Sequence, residues 1–138
     1  KLPTEGKVFI SVRDADKDGV VAVAQGFAKL GFELVATGGT FEKLTDAGLT
    51  VERVNKVNEA RPNIVDGIKN DEIALIVNTT EGTQAIADSA DIRRSALQHK
   101  VTYTTTLAGA EAVVEGLNAE GLNDVRSLQD IHAAILAQ

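Results

Sequence analysis

Apolar positions along the chain switch repeatedly between a strand-like run and a helical stripe. Lys7–Val12 (KVFISV) is a short β-branched and aromatic run that predicts a strand. Lys17–Leu30 follows, with Val20, Val23, Ala24 and Phe27 at i, i+3, i+4 and i+7, one face of a helix that Gly31 is placed to stop. Phe32–Thr37 predicts a second strand. Gly38-Gly39-Thr40 then turns into a helix running to about Ala47, stopped by Gly48, and Leu49–Val54 predicts a third strand. Asn55–Pro62 has no period and reads as a loop; Asn63–Asn70 predicts a short helix. Ile73–Asn78 (IALIVN) is an almost unbroken apolar run, as a strand covered on both faces requires. Two short helices, Gln84–Asp88 and Asp91–His99, come next, the second with Ala96 and Leu97 expected to point inward. Val101–Tyr103 predicts a fifth strand and Leu107–Asn118 another helix. Ser127-Leu128-Gln129-Asp130 has the form of a capping box for a last helix with Leu128, Ile131 and Ile135 on one face.

This alternation predicts an α/β fold, a doubly wound five-stranded parallel sheet flanked by helices, in one domain over residues 1–138. Ligands of such sheets sit beyond the carboxyl ends of the strands, where the strand order reverses. The residues just after each strand are therefore the ones to weigh. Thr37-Gly38-Gly39-Thr40 leads straight into a helix, where glycines admit close approach and the first-turn N–H groups favour an anion. Lys17 and Lys56 follow strands one and three as cations able to clamp that anion. Asn78, Thr79 and Thr80 close the fourth strand, and Tyr103-Thr104-Thr105-Thr106 the fifth. The shared theme is phosphate recognition, although no Gly-Lys-Thr/Ser P-loop and no G-x-G-x-x-G is present.

Composition narrows the classes. With 14 basic against 20 acidic residues the formal charge is −6, so a basic footprint for duplex nucleic acid is missing. No Cys is present, which excludes a disulfide scaffold, a Cys-ligated zinc and a thiolate nucleophile. No apolar run approaches the roughly 18 residues of a membrane span. Met is also absent, and the expectation is that the chain is cut from a much longer one. Asp14-Ala15-Asp16-Lys17-Asp18-Gly19 matches the first half of an EF-hand loop. Its twelfth position is Gln25 rather than Glu, so the acids are expected to enrich a first helical turn instead. His99 and His132 lie in helical stretches without a paired nucleophile, and Glu59 and Asp66 stand alone as candidate bases. For Arg93-Arg94, capping, ion pairing and a partner surface all remain open.

Phe9–Lys17 (FISVRDADK), Ala36–Thr40 (ATGGT), Val54–Asn70 (VNKVNEARPNIVDGIKN), Val77–Gly82 (VNTTEG) and Ile92–Gly109 (IRRSALQHKVTYTTTLAG) together resemble the carboxyl-terminal regulatory domain of the carbamoyl-phosphate synthase large subunit. The resemblance implies a methylglyoxal-synthase-like sheet and a non-catalytic domain. In the arginine and pyrimidine enzyme of bacteria it would bind UMP as inhibitor and IMP as activator. It places the nucleotide and its phosphate on Lys17, Thr37, Gly38, Gly39, Thr40, Lys56, Asn78, Thr79 and Thr80, and ornithine on Tyr103 and Thr105. The residue between those two, commonly Asp in bacterial relatives, is Thr104 here. The implied parent is a cytoplasmic, glutamine-hydrolysing, ATP-dependent ligase using Mg or Mn and K. Its catalytic part lies in the same large subunit and contacts a glutaminase small subunit; this domain itself carries no cofactor and meets neither nucleic acid nor membrane. Methylglyoxal synthase, a lyase of dihydroxyacetone phosphate, is similar in fold but works with an Asp base and a His; no GGDQQ-like segment is found, and Arg61-Pro62-Asn63-Ile64 occupies that region. IMP cyclohydrolase shares a Thr-Gly-Gly-Thr turn but needs a Lys-Thr-Leu-His-Pro stretch absent here. The N-acetylglutamate-responsive mitochondrial synthase carries Trp near the position of Lys56, and this chain has no Trp.

Overall fold

A computed structural model of the chain describes residues 3, 5–56, 61–80 and 83–119. Five strands form one parallel sheet: β1 (Lys7–Ser11), β2 (Glu33–Ala36), β3 (Val51–Arg53), β4 (Ile73–Asn78) and β5 (Thr102–Thr104), in the order β3-β2-β1-β4-β5. The helices are α1 (Lys17–Lys29), α2 (Gly38–Asp46), α3 (Ile64–Lys69), α4 (Thr83–Gln98) and α5 over residues 107–119, with a single 3-10 turn at Asp14–Asp16 before α1.

Strand alternation divides the core in two. Val8, Ile10, Leu34, Ala36, Leu75 and Val77 pack on one side against Val20, Val23, Ala24 and Phe27 of α1, Leu44 of α2, and Ala110 and Leu117 of α5. Phe9, Val35, Ile73 and Ile76 pack on the other side against Ile64 and Ile68 of α3 and Ile92 and Ala96 of α4. The central strands are therefore covered on both faces, which is why β4 reads as a continuous apolar run. One irregularity breaks its parity: Lys7 pairs with Ile73 but Val8 with Leu75, so Ala74 is an extra residue and Ile73 and Ile76 share a face.

The expected strands and helices are present, with three corrections. The two short helices expected at Gln84–Asp88 and Asp91–His99 are one helix, α4; neither Gly nor Pro interrupts Ser89-Ala90, so nothing breaks the ladder. Leu97 points outward, 80% exposed, whereas Ala96 is buried. The inward stripe of α4 is Ile92, Ser95 and Ala96, and Leu97 lies a further 100° round the helix. The third strand is shorter than the apolar run around it, Val51–Arg53 rather than Leu49–Val54, and Leu49 packs beside the first core cluster instead. Gly31 and Gly48 do end α1 and α2, at φ 95° and 90°, the left-handed conformation that glycine takes without strain. The capping box at Ser127–Asp130, its helix and His132 lie outside the described residues. No helix among the described residues is long and apolar enough to cross a membrane.

Candidate functional site

Strand order reverses at β1: the chain moves outward through β2 and β3, then returns to place β4 on the other flank. The carboxyl end of β1 thus faces the crevice that such sheets use for ligands. Hydroxyl side chains tie this end together. Thr37 Oγ1 donates to Ser11 Oγ at 3.0 Å, Val12 N–H donates to Thr40 Oγ1 at 3.1 Å, and Arg13 N–H donates to Thr79 Oγ1 at 2.9 Å. Thr79 N–H in turn donates to the Ser11 carbonyl at 3.0 Å, extending the β1–β4 ladder past its end. Thr37, Thr40, Asn78 and Thr79 are all buried, and no fully buried side-chain nitrogen or oxygen among the described residues lacks a hydrogen bond. Thr40 and Thr79 accept from the backbone just past β1 through their oxygens, which leaves each hydroxyl a proton to donate.

Helix α2 begins at Gly38, with Thr37 as an extended N-cap residue whose side chain makes no capping bond to the helix. Its first-turn N–H groups are a partial positive charge aimed past the ends of β1 and β2. Two lysines stand over that turn. Lys17 Nζ lies 2.6 Å from where a Cβ on Gly39 would sit, and Lys56 Cε lies 3.9 Å from the corresponding point on Gly38. A side chain at position 39 would collide with the ammonium group, so the glycine is what lets Lys17 rest against the helix N-terminus. Asp14 completes the group, its Oδ1 2.5 Å from Lys17 Nζ. The hydrogen bond from Lys17 is the main cause holding the Asp14 carboxyl below its ordinary range; the Lys17 charge and, more weakly, that of Lys56 add to it. Both cations therefore act on the same small volume.

Of the residues singled out from the sequence, Lys17, Thr37, Gly38, Gly39, Thr40, Lys56 and Thr79 gather around the ends of β1 and β2. Thr80 follows Thr79, half-buried. Asn78 turns its amide elsewhere: Nδ2 donates to Ser89 Oγ and to the Tyr103 hydroxyl, each at 2.9 Å. That bond joins the β4 exit to the fifth strand, where the Arg93 guanidinium lies 5.5 Å from the centre of the Tyr103 ring. Of the two adjacent arginines, Arg93 thus lies over an aromatic face and Arg94 makes an ion pair with Asp91 at 3.1 Å. Thr104 Oγ1 donates to the Ile76 carbonyl at 3.0 Å, and Thr105 is exposed in the turn before α5. Ser11 belongs to the site and was missed by the strand-exit reading, because a polar residue at the last position of β1 looks like part of the strand. Its signal was the step from apolar Phe9-Ile10 to a hydroxyl at the carboxyl end.

The remaining candidates have structural partners. Asp16 binds Arg13 Nε at 2.9 Å and Asp18 binds Lys43 at 3.0 Å, so the acids of the half EF-hand serve separate ion pairs. His99 Nδ1 is 3.2 Å from Asp71 Oδ1, bridging the ends of α4 and α3. Asp66 is the N3 residue of the α3 capping box: it accepts from Asn63 N–H at 2.8 Å and from Arg61 at 2.6 Å. Arg61 first, and then the Asn63 N–H, hold its carboxyl below the ordinary range. A folded-state value below the unfolded one means the stabilisation is full above about pH 4 and is lost as pH falls through the lowered value. Asp66→Asn is therefore expected to melt below the wild type at neutral pH and to converge on it in strong acid, as thermal melts across that range will read out. Glu59 lies outside the described residues.

Comparison with known proteins bears on this geometry. Residues 19–105 match the family model of the MGS-like domain. The carbamoyl phosphate synthase large chain of Pseudomonas syringae pv. tomato is 59% identical over 136 residues, and that of Xanthomonas axonopodis pv. citri 57% identical over 137. Each alignment covers 99% of this chain but only 13% of the relative, so the chain spans about an eighth of those proteins. Among solved structures, methylglyoxal synthase from Elizabethkingia anophelis NUHP1 superposes with a TM-score of 0.65 at 21% identity, over 82% of this chain and 79% of that one. ForH does so with a TM-score of 0.62 at 19% identity, over 85% and 82%. At those identities the likeness is one of fold. The parallel sheet, the family match and the large-chain relatives agree: the chain belongs to the MGS-like domain family and corresponds to the segment of it found within carbamoyl phosphate synthase large chains.

Proposed function

We propose that the chain is an allosteric effector domain that holds the phosphate of a nucleoside monophosphate at the carboxyl ends of β1 and β2 and so biases catalysis carried out elsewhere in a large chain. The observation that supports this best is the convergence of Lys17 and Lys56 on the uncapped N-terminus of α2 at Gly38-Gly39. Two ammonium groups, first-turn amides and hydroxyl donors from Thr40, Thr79 and Thr80 suit a dianion with three terminal oxygens. UMP as inhibitor and IMP as activator are the effectors this reading takes, and the base and ribose, not the phosphate, must then distinguish them. Ornithine belongs at Tyr103 and Thr105, facing the catalytic body, in an enzyme of arginine and pyrimidine biosynthesis. That body supplies the ATP, Mg or Mn, and K chemistry and meets the glutaminase subunit in the cytoplasm. Opposite responses from one pocket need each effector to bind two conformations unequally, typically by about 1 to 3 kcal/mol.

Calorimetric titration of this chain with UMP, IMP, inorganic phosphate and ornithine tests the reading. Saturable binding of both nucleotides, each displaced by the other and by phosphate, is the expected result. Absence of any nucleotide binding, or turnover of dihydroxyacetone phosphate to methylglyoxal by the same preparation, overturns it.

A further inference from the structure

The three acids at the start of α1 are not equivalent. Asp16 is engaged by Arg13 and Asp18 by Lys43. Asp14 alone bonds the ammonium that stands over Gly39. The 3-10 turn sets this up, because it places Asp14 three residues before Lys17, on the same side of the chain. The Asp14 side chain is 92% exposed, so no packing holds the carboxylate there. Attraction to Lys17, with Lys56 beyond it, is what keeps it in place.

We propose that Asp14 is a tethered competitor for the phosphate site, a carboxylate that occupies Lys17 until an effector phosphate displaces it. This rests on the phosphate reading above and adds a determinant of selectivity to it. A carboxylate has one negative charge and two oxygens and engages one lysine. A phosphate monoester carries up to two charges and presents three oxygens, so it satisfies both ammonium groups and the α2 amides at once. It displaces Asp14, whereas an uncharged nucleoside or a monovalent anion gains too little to do so. Because the displaced side chain swings into water, exchange costs no buried charge. Asp14 thus raises the concentration at which the site fills and rejects weak anions.

Titration of this chain and its Asp14→Asn and Asp14→Ala variants with inorganic phosphate and with UMP tests the proposal. Both variants are expected to bind both ligands tighter, by about 2- to 5-fold as for an exposed ion pair, with the gain shrinking at high salt. Asp18→Asn removes the same charge from a pair that does not involve Lys17, and is expected to give a smaller gain. Unchanged or weaker binding in both Asp14 variants, or an equal gain from Asp18→Asn, overturns the proposal. Lys17→Ala separates the two claims. If it loses phosphate while the Asp14 variants bind as the wild type does, the competitor is refuted and the site stands; if Lys17→Ala binds phosphate normally, both fall.

Discussion

Lys17→Ala is expected to weaken inorganic phosphate and UMP binding together by roughly 10- to 150-fold, the equivalent of losing a hydrogen bond to a charged group worth about 1.5 to 3 kcal/mol. The parallel loss for both ligands is the diagnostic, since a contact to the base or ribose would affect UMP alone. Lys17 is favoured over Lys56 for this test by placement: its ammonium nitrogen, rather than a methylene, stands within 2.6 Å of the Cβ position of Gly39. The fold should be indifferent to the change. Lys17 opens α1, its side chain is about a quarter exposed, and its partner Asp14 is almost wholly in water. A surface pair of that kind contributes little to stability. Equal melting temperatures beside a lost titration signal would therefore assign the effect to the site. If the variant titrates like the wild type, the phosphate does not sit between Lys17 and the start of α2.

Phe27→Ala is expected to produce the largest loss of stability, about 3 to 5 kcal/mol, the range for truncating a buried aromatic. Phe27 has no exposed surface and meets the Phe32 ring edge-on at a centroid distance of 5.8 Å. It also lies where α1 hands the chain to β2, with the Phe27 carbonyl accepting from both Leu30 and Phe32 N–H groups. The cavity would open inside the core cluster that α1 shares with the sheet. Domains of this size have only about 5 to 15 kcal/mol in total, so chemical denaturation should show the midpoint falling sharply. Leu97→Ser is the matching control; the residue is exposed, and its replacement should stay within about 0.5 kcal/mol.

Local pattern revealed the elements because each has its own period. Val20, Val23, Ala24 and Phe27 announce α1 and are all buried in it, and the apolar β4 run announces a strand between two helical layers. Strand order was not legible, since β1 pairing with both β2 and β4 is a choice between distant segments that no window of residues contains. The site was legible only as a set of strand exits. Lys17, Lys56 and the Gly38-Gly39 turn could be named from their positions, but their nearness to one another is a product of the sheet. The role of Thr40 and Thr79 in holding the backbone just past β1 could not be read from residue type. The inward placement expected of Leu97 failed for a simpler reason: apolar neighbours in sequence sit 100° apart on a helix, and only one of Ala96 and Leu97 can face the sheet.

With the Val12 and Arg13 amides already held by threonine oxygens and Thr79 bound to the Ser11 carbonyl, the chain just past β1 is pinned by its own hydrogen bonds. If the proposed phosphate binds there, little conformational entropy is left for it to remove, and this part of the site does not have to close around it. On the proposed reading, the step left to an arriving phosphate is to exchange with Asp14 on Lys17.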